Sequence, residues 1–255
     1  KIDLSLFIYD EPSLDLAANF QPDLIKLNSS ELSNPKILEG AAKFGVPMTL
    51  GTGSSTYSEI KAAIKFVLEC GQKDLILMHG IQNFPTKLEN LNINRISKLK
   101  RDFGGLIIYA DHTDPNLELC CWIDLLAIGR GATFLEKHII LKREADKVDS
   151  EASLEPQEFE RYVHNIRTAN IALGLDDFDN LTAADLKYRK FQKKSIVAAQ
   201  DLTKGTIIQQ KHVKYLRVQS DEEGIAPIDF SKTVEGKKLK CHKRQFQQFF
   251  IDDLK

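Results

Sequence analysis

The sequence has few cysteines, and none of them is spaced to bind zinc or to form a disulfide framework. Only four occur in 255 residues, at Cys70, Cys120, Cys121 and Cys241. They form no C-x-x-C pair of the kind that zinc cages and redox motifs use. Cys120 and Cys121 lie among apolar residues, where buried thiols rather than nucleophiles are expected. This cysteine usage predicts a protein of the reducing cytoplasm.

The sequence also has almost no net charge and no long apolar run. Lys and Arg number 35 against 36 Asp and Glu, which leaves a formal net charge of −1. That balance gives no broad attraction to nucleic acid or to an acidic membrane surface. No apolar run approaches the ~20 residues of a membrane helix, and the first four residues carry no signal-peptide pattern. We therefore expect neither a nucleic-acid partner nor a membrane partner.

Short apolar segments rich in β-forming residues recur along the first part of the chain. Amphipathic helical stretches separate them at intervals of roughly 20 to 30 residues, as in the βα units of a parallel sheet. Thr56 and Glu59 have the spacing of a capping box, Gly71 follows as a C-terminal cap, and Ser153–Pro156 is predicted to open a later helix. The predicted strands are Leu4–Tyr9, Asp23–Leu27, Val46–Leu50, Asp74–Met78, Leu106–Tyr109 and Thr133–Ile140.

Two α/β architectures accommodate these units, an open doubly wound sheet and a TIM-type (β/α)8 barrel. The fingerprint of a dinucleotide-binding sheet, G-x-G-x-x-G, follows none of the predicted strands. The nearest approach, Gly51-Thr52-Gly53, lacks the third glycine and the acidic residue that would bind the ribose. A dinucleotide site is therefore not expected. The barrel becomes the working interpretation, with six of its eight βα units visible.

The composition changes after residue 175. Residues 176–193 are first acidic and then basic, with no apolar period, and are predicted to be a linker. Residues 194–255 contain short strand-like segments separated by turn signals such as Thr203-Lys204-Gly205. The predicted organisation is a barrel domain over residues 1–175, the linker, and a small β-rich domain over residues 194–255.

Polar side chains are expected to gather where the barrel strands end. His112 follows the fifth predicted strand, and Glu136, Lys137 and His138 lie in the sixth. Two histidines on neighbouring strands suit a divalent metal that keeps positions open for substrate and water. A structural salt bridge of Glu136 and Lys137, with each other or with neighbours, is the alternative. His79, which ends the fourth strand, is better explained as a core histidine than as a ligand.

Short motifs in one order along the chain resemble those of the sialic acid synthases and, in the tail, their C-terminal antifreeze-like (SAF) domain, a β-clip fold. In the barrel these motifs are Asp23-Leu24-Ile25-Lys26-Leu27-Asn28-Ser29, Gly51-Thr52-Gly53, Met78-His79, Phe84-Pro85-Thr86, Asp111-His112-Thr113, Glu136-Lys137-His138 and Ala152–Pro156. In the tail they are Ser195–Ala199, Asp201–Ile208, Gly224–Pro227 and Val234–Leu239.

The resemblance implies an enzyme that builds nonulosonic acids. In that family C3 of phosphoenolpyruvate attacks the aldehyde of an open-chain N-acyl amino sugar, water adds at C2, and phosphate leaves. Two histidines hold a divalent ion, typically Mn²⁺, which polarises the aldehyde. The implied assembly is a homodimer in which the SAF domain of each subunit caps the barrel of the other.

The resemblance also implies roles for individual residues. The implied metal ligands are His112 and His138, the implied catalytic carboxylates at the sugar are Glu31 and Asp149, and the implied substrate-binding residues are Lys26, Ser29, Gln82 and Arg217. The charge of Lys26 would balance a carboxylate or phosphate of phosphoenolpyruvate. Arg217 lies in the SAF domain and would reach the sugar in the barrel of the partner subunit.

The sequence departs from the family pattern where the ligand would bind. Hydroxyl or amide side chains of the family are replaced at five positions, Phe7, Gly51, Gln82, Phe84 and Ala110. Losing one charge-assisted hydrogen bond costs about 1.5 to 3 kcal/mol, so weakened binding of phosphoenolpyruvate is predicted. The first predicted strand matches the third strand of the family, and we expect the first two to have no counterpart here.

Three functions therefore stay open. The leading hypothesis is a synthase that joins phosphoenolpyruvate to an amino-sugar aldehyde. The second is a binding or scaffold protein that kept the barrel and lost catalysis. The third is a metal-dependent barrel enzyme of another class, such as a lyase or an epimerase.

Overall fold

The computed structural model describes residues 2–144, 146–220 and 222–255. The chain forms two compact units that divide between Gly174 and Leu175, so the segment predicted as a linker belongs to the second unit. No helix among the described residues has both the length and the apolar character needed to cross a lipid bilayer.

Parallel strands alternate with α-helices in the first unit. In chain order the elements are β1 (Ser5–Ile8), α1 (Glu11–Ala17), β2 (Leu24–Leu27), α2 (Pro35–Ala42), β3 (Met48–Gly51), α3 (Tyr57–Glu69), β4 (Leu75–His79), α4 (Asn94–Phe103), β5 (Ile107–Asp111), α5 (Cys120–Gly129), β6 (Phe134–Ile139), β7 (Ser153–Leu154) and α6 (Pro156–Ile171). The six predicted strands are confirmed, with ends shifted by one or two residues.

Each strand of this sheet pairs in parallel with the next strand along the chain, in the order β1 to β7. Among the described residues no pairing joins β7 back to β1, so the sheet is a curled, open arc. The α/β class is therefore confirmed, whereas the predicted eight-stranded barrel is present only in part. The sequence also misplaced Ser153–Leu154, which forms β7 beside His138 and Ile139, while the predicted helix begins at Pro156.

The main core lies between the outer face of the sheet and the surrounding helices. Fully buried strand residues such as Ile25, Leu50 and Ile107 pack there with helix residues such as Ile37 and Val67. This packing explains the apolar runs and the amphipathic periods that predicted the βα units. The capping box before α3 is also present, with the Glu59 carboxylate 2.6 Å from the Thr56 amide.

The arc leaves a wide groove between the amino-terminal part of its strands and helix α6. The groove has a volume of about 1170 Å³. Its apolar lining includes Leu24, Ile76, Leu106, Phe134, Phe159 and Ile166. The opposite end of the strands, where the chain leaves each strand for the following loop, carries the polar residues described below.

The second unit contains helix α7 (Ala183–Gln192) and an antiparallel pair, β8 (Lys194–Ala198) and β9 (Val213–Arg217). Its own core includes Ile196, Phe249 and Leu239. The segment predicted as a linker thus forms a helix, although none of the residues of α7 is buried. The lack of an apolar period reflects that exposure. Assignment of this unit to the SAF fold stays a prediction.

Candidate active site

Three potential metal ligands converge where β5 and β6 end. One ligand atom each from His112, Glu136 and His138 lies within 4.8 Å of the other two. The ring centroids of His112 and His138 are 5.0 Å apart. Side chains alternate along a strand, so Glu136 and His138 share one face of β6 and Lys137 projects from the other. The structure therefore brings together the two histidines that the sequence predicted, and adds a carboxylate.

His112 is oriented by the backbone of a neighbouring loop. Its Nδ1 lies 2.7 Å from the carbonyl oxygen of Ile81. A carbonyl oxygen can only accept, so Nδ1 is the donor in this contact and Nε2 is the ring nitrogen left to face a cation. This is the arrangement in which metal-binding histidines are usually held, because the bond fixes both tautomer and ring orientation.

His138 is suited to bind a cation as a neutral imidazole. Burial, and then the proximity of His112, lower the pKa of His138, although Asp149 and Glu136 oppose the shift. Its Nδ1 lies 3.4 Å from a carboxylate oxygen of Asp149. Two imidazoles and one carboxylate are a donor set typical of divalent cations with open coordination positions. The residues present therefore fit the metal that the sequence predicted.

Lys26 projects from β2 towards the same carboxylate. Its Nζ lies 2.7 Å from Oε1 of Glu136, and the two side chains are 18% and 27% exposed. The same Nζ lies 4.7 Å from the centroid of the Phe7 ring. An aromatic face therefore covers part of the lysine at the position where the sequence analysis expected a hydroxyl side chain.

Ser29 and Gln82 line a very small cavity beside this pair. Asn28 links them, because its Oδ1 accepts from the Ser29 amide at 2.6 Å and its Nδ2 donates to Gln82 Oε1 at 2.5 Å. The cavity volume is about 10 Å³, close to the minimum that holds one water molecule. Its lining consists of Asn28, Ser29, Gly51, Gly53, Met78, Gly80, Gln82, Ala110, His112 and Glu136.

The glycine at position 51 is required by the close approach of a neighbouring loop. A Cβ atom built on Gly51 would lie 2.6 Å from the backbone nitrogen of Ser29. Any side chain at this position, including the serine expected from the resemblance, would therefore force the loop after β2 to move.

The two predicted catalytic carboxylates differ in their surroundings. Asp149 lies beside His138 and has a left-handed backbone conformation, with φ of 57°. Glu31 lies in the 3₁₀ turn Ser29–Ser33, where its carboxylate accepts from Asn34 Nδ2 at 2.9 Å. Arg217 is exposed at the end of β9 in the second unit. The structure thus places Asp149, but not Glu31, in contact with a metal-ligand candidate.

His79 is a core histidine, as the sequence analysis favoured. Its side chain is buried, and its Nε2 lies 2.8 Å from the carbonyl oxygen of Leu91. Burial lowers the pKa of His79 and so favours the neutral ring. Cys120 is also buried, and burial raises the pKa of its thiol, which agrees with the expected absence of a nucleophile.

Sequence reasoning did not predict that the Phe84 ring packs against both candidate histidine ligands. Its ring centroid lies 4.7 Å from that of His112 and 5.4 Å from that of His138. The position was recognised only as a departure from the family pattern. Sequence reasoning also missed the role of Asn28, although this residue stands between Lys26 and Ser29 in a motif that carried the resemblance.

The model of the NeuB family matches residues 2–177. The chain belongs to the NeuB family. Curated relatives include an N,N'-diacetyllegionaminic acid synthase of Legionella pneumophila, 29% identical over 89% of this chain and 62% of that protein. A pseudaminic acid synthase of Helicobacter pylori is 28% identical over 85% of this chain and 63% of that protein. The chain thus spans under two thirds of the length of these relatives.

Solved structures give the same fold. This NeuB-family chain is similar to spore coat polysaccharide biosynthesis protein E of Chromobacterium violaceum, with a TM-score of 0.83, 24% identity, and coverage of 100% of this chain and 74% of that one. The N-acetylneuraminic acid synthetase of Leptospira borgpetersenii, solved with citrate, has a TM-score of 0.65 and 28% identity. That match covers 73% of this chain and 64% of the other.

Proposed function

We propose that this NeuB-family chain acts in a phosphoenolpyruvate-dependent synthase that condenses phosphoenolpyruvate with an N-acyl amino-sugar aldehyde to a nonulosonic acid. The observation that carries the proposal is the convergence of His112, Glu136 and His138, with Lys26 beside them. Relatives named as synthases of legionaminic and pseudaminic acid support the reaction class. In this reaction a carbon–carbon bond forms between C3 of phosphoenolpyruvate and the aldehyde carbon, water adds at C2, and inorganic phosphate leaves.

The metal would be Mn²⁺ or a similar divalent ion held by His112, Glu136 and His138. When bound, such an ion supplies Lewis-acid polarisation of the aldehyde oxygen. Lys26 and Ser29 would bind the carboxylate or phosphate of phosphoenolpyruvate, with Gln82 as a further polar contact. Asp149, beside His138, would orient a hydroxyl of the sugar or accept its proton.

Two further parts of the proposal come from the resemblance. Glu31 would be the second carboxylate at the sugar, and in this structure its carboxylate accepts a hydrogen bond from Asn34 at 2.9 Å. Arg217 would be contributed by a second copy of the chain in a homodimer, with the second unit acting as the SAF cap. The cytoplasmic location is likewise a prediction.

Two observations favour a second candidate, a binding or scaffold protein without catalysis. Phe7 covers Lys26, and the cavity beside Ser29 has a volume of only about 10 Å³. A phosphate group would therefore require side chains to move before it could contact Ser29. The two candidates differ in phosphate release, because only the synthase frees phosphate from phosphoenolpyruvate.

The full chain tests the proposal directly. We expect Mn²⁺ and phosphoenolpyruvate each to raise the melting temperature, and to raise it further together, because ligands that bind only the folded state stabilise it. Phosphate release is then measured with open-chain N-acyl amino-sugar aldehydes. Stabilisation by phosphoenolpyruvate without phosphate release supports the binding protein. No stabilisation by either ligand contradicts the synthase, and a shift with metal alone favours the lyase or epimerase alternative.

The metal site is tested by His138→Ala. We expect the variant to lose measurable Mn²⁺ binding by isothermal titration calorimetry, because only one imidazole and one carboxylate would remain. His164→Ala is the matched control, since His164 is exposed on α6 and its loss leaves Mn²⁺ affinity unchanged. Unchanged affinity in His138→Ala contradicts the assigned site.

A further inference from the structure

The carboxylate of Glu136 can pair with Lys26 or help His112 and His138 to bind a cation, and these two roles compete. Its Oε1 lies 2.7 Å from Lys26 Nζ. A carboxylate oxygen of the same residue belongs to the group of ligand atoms, within 4.8 Å of one another, that His112 and His138 complete. The Lys26 and Glu136 side chains are 18% and 27% exposed, so water and small ions reach the pair.

Glu136 provides the full negative charge that balances Lys26. Among the described residues, Lys26 has an ion pair with Glu136 alone. The Lys26 ammonium group also faces the Phe7 ring, whose centroid lies 4.7 Å from Nζ. The ring attracts a cation but carries no net charge, so it does not neutralise the lysine. A lysine that is already neutralised in this way is a weak binding site for an anion.

A divalent cation at the two histidines would change this balance. Its charge is twice that of the ammonium group, so it attracts the Glu136 carboxylate more strongly at a similar distance. Transfer of the carboxylate to the cation would leave Lys26 without a counter-ion beside an apolar ring. An uncompensated, partly buried ammonium group is unfavourable, and an incoming anion would relieve it.

We propose that Glu136 exchanges between Lys26 and a divalent cation, and that cation binding thereby opens an anion site at Lys26. The inference rests on the proposed function and deepens it, because it makes the cation a condition for tight binding of the phosphate- or carboxylate-bearing substrate. Linkage makes the coupling reciprocal, so the anion must also tighten cation binding by the same factor.

Sulfate is the probe for this anion site, since it is a tetrahedral dianion whose Mn²⁺ salt is soluble. In metal-free protein, Glu136→Gln is expected to bind sulfate about tenfold more tightly than the unchanged chain, because Lys26 is then released from its charged partner. In the unchanged chain, Mn²⁺ should tighten sulfate binding by a similar factor. In Glu136→Gln, Mn²⁺ should add far less. Isothermal titration calorimetry measures all four affinities.

Glu39→Gln is the matched control. It removes the same charge from a second Lys–Glu pair, in which Lys43 Nζ lies 2.8 Å from Glu39 on the exposed face of α2, and sulfate affinity should not change. Adding Lys26→Met to Glu136→Gln should abolish the gain in sulfate affinity. Equal sulfate affinity in folded Glu136→Gln and unchanged protein overturns the proposal.

Lys26→Met gives a second route should Glu136→Gln fail to fold. It should tighten Mn²⁺ binding, because the competitor for Glu136 is gone, and it should remove the coupling between Mn²⁺ and sulfate. Coupling that survives in Lys26→Met overturns the exchange.

None of these measurements needs turnover, so the proposed exchange and the proposed synthase activity can fail separately. Coupling without phosphate release contradicts the synthase alone, and phosphate release without coupling contradicts the exchange alone.

Discussion

Two lysine–carboxylate clusters contain consecutive residues of β6, Glu136 and Lys137, and lie on opposite faces of the strand. Glu136 faces the candidate active site and pairs with Lys26 of β2. Lys137 faces the helices and forms ion pairs with Asp111 of β5 and, at 3.2 Å, with Asp124 of α5. The salt bridges that the sequence offered as an alternative to metal binding therefore exist for both residues. Each residue pairs with neighbours and not with the other, and only Glu136 also lies beside the two histidines.

The two clusters differ in burial, and this difference separates a structural role from an exchangeable one. The Lys137 side chain is 3% exposed and its two carboxylates are 0% exposed. Asp111 also accepts from Tyr109 at 2.9 Å and from the Thr113 hydroxyl at 2.8 Å. A dry, multiply bonded cluster resists rearrangement, whereas the partly hydrated pair of Lys26 and Glu136 can change partners.

The comparison predicts that Lys137→Met is the most damaging of these changes. The substitution leaves Asp111 and Asp124 buried without a cation, which typically costs about 3 to 5 kcal/mol of unfolding free energy. Urea unfolding followed by circular dichroism measures the loss. Lys65→Met, at an exposed pair with Glu69 on α3, is the control and should stay within about 0.5 kcal/mol of the unchanged chain. Similar losses in the two variants would remove the distinction between buried and exposed pairs.

Asp124 gives the buried cluster a pH dependence of known sign. Burial raises the pKa of Asp124 from 3.8 to about 7, with Asp111 adding to the shift and Lys137 opposing it. The folded state therefore holds a proton that the unfolded state releases near pH 4. The stabilisation is complete below the unfolded pKa of 3.8, and it is lost as the pH rises through about 7.

Asp124→Asn should flatten this dependence, because an amide does not titrate in that range. The measurement is the urea midpoint of both proteins at about pH 5 and about pH 8. The unchanged chain should lose more stability than the variant between the two conditions. Equal losses of stability in the two proteins would show that the pKa of Asp124 is not raised in the folded state.

The positions of the strands and the two candidate histidine ligands were predictable from sequence, because the strands follow from local pattern and the histidines lie at their ends. Six apolar runs matched β1 to β6, and the polar residues at their ends marked His112 and His138. Strand β7 was not predictable, since a two-residue strand is too short to show a period. The helix over Ala183–Gln192 was missed for the opposite reason, because an exposed helix has no apolar face. Its capping box, Thr182 with Asp185, was the available signal.

The ion pair between Lys26 and Glu136 was not predictable from sequence, because it depends on the curvature of the sheet. Lys26 and Glu136 are separated by 110 residues and lie on strands that do not pair with each other. Only the curvature of the arc brings their side chains together. Asp124 was different, since one acidic residue in the apolar segment CCWIDLLAIG is a recognisable sign of a buried ion pair. Its partner Lys137 still had to come from the structure.

The smallest expected effect is that of the Phe7 ring on the affinity of Lys26 for an anion, and each of the two lysines has such a ring beside it. Lys26 lies 4.7 Å from the Phe7 centroid, in the exchangeable pair, and Lys137 lies 5.3 Å from that of Tyr162, in the buried cluster. Phe7→Leu keeps an apolar side chain but removes an attraction worth about 0.5 to 1 kcal/mol, so sulfate affinity in the presence of Mn²⁺ should rise roughly two- to fivefold as Lys26 turns to the anion. Phe246→Leu removes a ring near Lys214 in the second unit and serves as the control. A Phe7→Leu chain that binds sulfate more weakly would mean that the ring positions Lys26 for the anion instead of competing with it.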